Sequence, residues 1–231
     1  MKNKIVGFSL AFLMMTASAA RADFTLSDMI IDFNPDSPRQ YDIKVVSMGK
    51  ETQYIAAETY VIENPKDENE KRVLVTDPQK SGLMVTPNKM VLPANSQKVA
   101  RLLLLKPQTD KDQIFRVTFK PVIEGVEPDK SQQLSLKLLV GYEALVIVRP
   151  KEPKIELTAE RKGNALTITN KGNTNAYLQA GEQCNATGGD CKEVQGERIY
   201  SGQSWTVTLP HLNGAAKFTV WDGKKSEQVS F

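Results

Sequence analysis

The stretch Gln133 to Pro150, QLSLKLLVGYEALVIVRP, constrains this chain most, because its burial pattern changes partway along what reads as one continuous strand. Leu134, Leu136, Leu138 and Val140 form an alternating row against Gln133, Ser135 and Lys137, whereas Ala144 to Val148 is apolar throughout. Side chains of a strand alternate between its two faces. The first half therefore presents one apolar row, and the second half reads as buried on both sides. Arg149-Pro150 ends the strand, since proline has no N–H for a sheet ladder and drives its predecessor away from helix. The residues alone leave the leucine row two uses, packing in this chain's own core or contact with another chain.

The remainder is a succession of short β-rich runs separated by turn chemistry, with almost no helical periodicity. Phe24 to Phe33 reads as one paired first strand. Tyr41 to Val46, Gln53 to Ile62, Lys89 to Leu92 and Gln97 to Leu105 continue the series. In the following run DQIFRVTFKPV, Phe115, Val117 and Phe119 share a face that is core by default, and Ile114, Arg116 and Thr118 share the other. About seven or eight strands fit between Asp23 and Arg149. A second series, ending at Phe231, makes a smaller β domain of about 80 residues. The expected fold is all-β, with two immunoglobulin-like β-sandwich domains, 23–149 and 150–231. The junction Lys151-Glu-Pro-Lys154 is too short for a tether, so the domains are expected to hold a fixed angle with a cleft between them.

Residues 1–22 read as a cleaved secretory signal, with Lys2 and Lys4 before an apolar run and Ala20-Arg21-Ala22 as the small-x-small cleavage pattern. No run is long enough to span a bilayer, so no membrane insertion is expected. Lys2, Lys4 and Arg21 account for the whole formal charge of +3, which leaves a near-neutral mature chain and removes the case for a nucleic-acid partner. In an oxidising compartment the two cysteines, Cys184 and Cys191, are expected to form a local disulfide. Neither a metal site nor a cofactor is expected. His211 is the only histidine, and no Walker loop, dinucleotide fingerprint, G-x-S-x-G or H-E-x-x-H is present, so an enzyme is not the expected reading.

A signal peptide, tandem immunoglobulin-like domains and a Leu-alternating strand ending in Arg-Pro resemble the periplasmic chaperones of chaperone-usher pilus assembly. Met90-Val-Leu-Pro-Ala-Asn-Ser-Gln-Lys-Val-Ala-Arg-Leu102 resembles that family's strand-turn-strand signature, and Asn170-Lys-Gly-Asn173 its Asn-rich turn. Phe115-Arg-Val-Thr-Phe119 is similar to the version in the alternate branch serving class 5, or CFA/I-like, fimbriae. The resemblance implies a periplasmic protein that lends a strand to fimbrial subunits lacking one, and delivers them to an outer-membrane usher. Leu134, Leu136, Leu138 and Val140 would be the lending residues. An interdomain ionic network of Arg149, Asp222 and Asp112 is also implied.

One feature departs from the family. Its better-studied branch holds the subunit's terminal carboxylate with an Arg on the first strand and a Lys near the end of the lending strand. The matching places here are the Ser27-Asp28-Met29 region and Leu145, which are not basic. Replacement candidates are Arg116, then Lys137 and Arg101, because arginine can grip a carboxylate through two parallel hydrogen bonds. A self-capping dimer, or the Glu124 to Lys130 connection, would shield the exposed leucine row. The alternative reading is a secreted tandem immunoglobulin-like adhesin or pilus subunit, which should show an incomplete domain and an N-terminal donor extension.

Overall fold

The computed structural model describes residues 23–122 and 139–231. The expected signal, 1–22, lies outside them. The first half contains β1 (Phe24–Leu26), β2 (Ile30–Phe33), β3 (Gln40–Ser47), β4 (Gln53–Glu63), β5 (Lys71–Leu74) and the short helix α1 (Pro78–Ser81). It continues with β6 (Leu83–Thr86), β7 (Lys89–Leu92), β8 (Gln97–Leu104), β9 (Gln113–Pro121) and β10 (Tyr142–Val148). One sheet has the order β1-β3-β8-β6, and the other β2-β10-β9-β4-β5 with β7 also paired to β4. Alternate residues of both sheets meet in one core, among them Phe24, Ile43, Leu92, Leu102, Phe115, Val117, Phe119 and Val146.

Two local features depart from the sequence expectation. Phe24 to Phe33 is two strands, not one: β1 pairs with β3 in the first sheet, and β2 runs parallel to β10 in the second. Ser27 marks the crossing, where its hydroxyl accepts from the Lys44 amide and donates to Asp28, so that polar groups replace a sheet ladder. The helix α1 is the other. Asp77 caps it by accepting from the Gln79 amide, Pro78 starts it, and Gly82, at φ 97°, ends it in the left-handed region.

The second half contains β11 (Leu157–Lys162), β12 (Ala165–Asn170), β13 (Ala176–Leu178), β14 (Gly181–Cys184) and β15 (Cys191–Val194). β16 (Glu197–Ile199), β17 (Ser204–Thr208), β18 (Ala216–Trp221) and β19 (Ser226–Ser230) complete it. The sheet β11-β12-β17 faces the sheet β15-β14-β18-β13-β16, in which β19 also pairs with β18. Leu166, Ile168, Leu178, Phe218 and Val220 fill the second core. The disulfide Cys184–Cys191 joins directly opposed residues of β14 and β15. Between the sandwiches a third cluster packs Ile62, Ile114, Leu145 and Ile147 of the first against Tyr200 of the second. Among the described residues, no helix is long and apolar enough to cross a membrane.

Candidate functional site

The site is built on β10. Its residues alternate as a strand must, so Ala144, Val146 and Val148 enter the first core while Glu143, Leu145 and Ile147 face outward. β9 pairs with it antiparallel over its whole length, from Tyr142↔Phe119 to Val148↔Gln113. β2 covers its other side only over Leu145–Val148. Tyr142, Glu143 and Ala144 therefore present a strand edge to which no strand among the described residues is paired. Unpaired N–H and C=O groups make such an edge a template for another chain. Apolar side chains flank it: Met29, Ile30, Leu139 and Val140 are all exposed, Ile30 by 51% and Val140 by 41%.

The outward face beside this edge is ionic. Ladder register places Leu145, Arg116 and Tyr60 in one row across β10, β9 and β4, and Glu143, Thr118 and Glu58 in the next. Glu143 is gripped by the Arg72 guanidinium and accepts from the Thr118 hydroxyl at 2.8 Å, while Arg116 Nε stands 3.7 Å away. Burial alone would raise the Glu143 pKa. The hydrogen bonds from Arg72 and Thr118, with the charges of Arg72 and Arg116, outweigh that and hold the carboxyl below its ordinary range. Glu58 is held separately, by Lys120 at 2.6 Å and the Tyr60 hydroxyl at 2.8 Å.

At the other end of β10, Arg149 is fully buried between the sandwiches. Its Nε donates to Asp32 Oδ1 at 2.9 Å, and its Nη1 to Thr174 Oγ1 at 2.8 Å and the Asn175 carbonyl at 3.1 Å. Asp112 completes the junction by accepting from Thr174 Oγ1 at 2.7 Å, the Asn175 amide at 2.6 Å and Asn175 Nδ2 at 2.8 Å. Arg149 and Asp112 are thus joined through Thr174-Asn175 rather than directly. The turn before these residues is also a connector, because the Asn173 side-chain amide donates to the carbonyls of Asp110 and Glu152.

Burial raises the Asp112 carboxyl above its ordinary 3.8, against hydrogen bonds from Asn175 and Thr174 and the charge of Arg149, which pull it down. With the folded value above the unfolded one, the contribution of protonation is fully present below the unfolded value and lost as pH rises through the folded value. Asp112→Asn does not titrate. The stability difference between the two proteins is therefore expected to shift toward the parent between about pH 7 and about pH 4. Urea unfolding at both pH values checks the sign, and a shift toward the variant would contradict it.

The expected site residues are distributed unequally. Leu134, Leu136, Leu138 and Lys137 lie outside the described residues. Arg116 stands directly opposite Leu145, so a basic group occupies the strand next to the place where Leu145 departs from the family pattern. Arg101 is excluded as a carboxylate anchor: it lies on β8, in the other sheet, and both its bonds go to Asp42, at 2.7 and 2.8 Å. Asp222 is also corrected. Its Oδ1 accepts from the amides of Lys224 and Lys225, closing a turn, and the carboxylate beside Arg149 is that of Asp32. The neighbouring Gly223 makes the contact instead, packed on the guanidinium, with its carbonyl accepting from Asn34 Nδ2 at 2.8 Å.

Sequence reasoning missed Asp32, Thr174, Asn175, Arg72 and Glu143. Asp32 carried a signal, a lone acid inside the apolar run Ile30-Ile-Asp-Phe33; the others look like ordinary surface residues until the sheets are assembled.

No family model matches the chain. A CS1 fimbrial protein of Escherichia coli is 30% identical over 202 residues, which cover 84% of this chain and 83% of that protein. A CFA/I fimbrial protein, also of Escherichia coli, is 30% identical over 210 residues, or 87% of each chain. Among solved structures, the class 5 fimbriae chaperone CfaA superposes with a TM-score of 0.66 at 27% identity, covering 90% of this chain and 97% of that one.

Proposed function

Because the chain belongs to the periplasmic chaperones of chaperone-usher pilus assembly, in the class 5 branch, we propose that it captures fimbrial subunits by lending them a strand. Leu134, Leu136, Leu138 and Val140 are the lending residues in this reading, with Arg116 as the anchor for the subunit's terminal carboxylate. The observation that carries it is the open edge at Tyr142–Ala144, which has β9 on one side and continues backwards through exposed Val140 and Leu139. A strand paired along that edge gains main-chain hydrogen bonds, and the alternating row sets its register. The capture occurs in the periplasm, after removal of residues 1–22, and the complex is passed to an outer-membrane usher. Without a client, a second copy pairing on the same edge would satisfy its open hydrogen bonds.

The alternative, a pilus subunit or adhesin, is less well supported. A subunit needs an incomplete sandwich, whereas here β10 fills its sheet between β2 and β9, and each half closes its own core.

The test is binding of a fimbrial subunit to the mature protein. A stable one-to-one complex is expected, and Leu138→Ala is expected to weaken it by about 2 kcal/mol, roughly thirtyfold in Kd, while the unfolding midpoint stays unchanged. Unaltered affinity in the variant would remove Leu138 from the lending row, and absence of any complex would reject the chaperone role.

A further inference from the structure

The cluster beside the open edge is unbalanced, and its imbalance points to a ligand. Two cations, Arg72 and Arg116, face one anion, Glu143, while Glu58 is already matched by Lys120. Arg72 grips Glu143 through both terminal nitrogens. Arg116 does not. Its Nε lies 3.7 Å from Glu143 Oε1, beyond hydrogen-bond length, and its guanidinium makes no hydrogen bond among the described residues. Both side chains remain within reach of solvent, Arg116 by 32% and Glu143 by 28%.

Their surroundings favour an ionic ligand over water. Leu145 and Tyr60 flank Arg116 in register and pack with Tyr200 from the second sandwich, so an apolar wall backs the cations and reduces screening. Glu143 sits on the unpaired part of β10 itself. Any chain that adds to this edge must run past it.

We propose that Arg72, Arg116 and Thr118 form a carboxylate seat which Glu143 fills in the client-free protein, and which a client's carboxylate takes over. This rests on the reading of β10 as the client-binding edge. Glu143 then acts as an internal competitor: it keeps the guanidinium groups matched when no client is present, and lowers the affinity of a partial or wrong client that brings no carboxylate to displace it. Thr118 holds it in place from the strand opposite.

The test uses the mature protein and two probes, a short synthetic peptide of alternating valine and threonine with a free C-terminal carboxylate, and the same peptide ending in an amide. Glu143→Gln is expected to bind the acid peptide about tenfold more tightly than the parent does, and the amide peptide no more tightly. Thr118→Val, which loosens Glu143 but keeps its charge, should move in the same direction by a smaller factor. Arg116→Gln should erase the preference for the acid, and the Arg116 side-chain N–H resonance of the parent should shift with the acid peptide only. Equal affinities of the two peptides in every protein would overturn the seat while leaving the edge reading intact. Equal gains for acid and amide in Glu143→Gln would show that Glu143 merely obstructs the edge. No binding of either peptide to any of the proteins would overturn seat and edge together.

Discussion

Replacing Arg149 by alanine is expected to lower the unfolding free energy by about 3–5 kcal/mol, because it leaves the partner of a buried charge unmatched. Asp32 is only 12% exposed and would lose its cation, while Thr174 and the Asn175 carbonyl would lose the donor that joins the sandwiches. Water cannot replace these bonds without entering the junction. Arg149 is not optimised for stability alone, since its buried Nη2 has no hydrogen-bond partner among the described residues. An apolar pair can be as stable as a buried ion pair. The double replacement Arg149→Met with Asp32→Leu is therefore expected to recover part of the loss. Urea unfolding would measure both, and small-angle scattering would report whether the angle between the sandwiches survives. A loss below about 1 kcal/mol for Arg149→Ala would place the pair among surface ion pairs and contradict the burial argument.

Gly223→Ala is expected to cost about 3 kcal/mol or more, through two separable effects. Its φ of 97° lies where a side chain is strained, worth about 1–2 kcal/mol. An added Cβ would also collide with Arg149 Nε and stand 2.6 Å from its Cζ, so the guanidinium would be pushed off Asp32. The second effect needs Arg149 to be present. In the Arg149→Ala background the alanine at 223 is then expected to cost only the backbone strain, and the double-mutant cycle should show a coupling of about 1–3 kcal/mol. Strict additivity would mean that the two residues do not share one contact. Gly223→Asn, a residue that tolerates the left-handed region, should behave like alanine if the clash dominates and better if the strain does.

The sequence carried most of the fold because strand patterning is local. Ala144 to Val148 is apolar without interruption, and the structure buries it on both faces, with Val146 in the first core and Ile147 against Tyr200. Alternation also placed Phe115, Val117 and Phe119 on the inner face of β9. The split of the first strand was not legible, since Phe24–Leu26 and Ile30–Phe33 are equally apolar. Only the positions of β3 and β10 decide which sheet each one joins. The disulfide needed nothing more than two cysteines and an oxidising compartment.

By itself the sequence determined that this chain is a pair of β-sandwiches, where they divide and which long strand ends at the division, because apolar period and turn chemistry act between near neighbours. Only the tertiary structure decided which charges meet. Asp32 and Arg149 are 117 residues apart, Arg72 and Glu143 are 71 apart, and each pair is fixed by strand order and register rather than by residue type. That is why Asp222, one residue from the contact, gave way to Asp32, and why Arg101, carrying the same guanidinium as Arg116, fell on the other sheet.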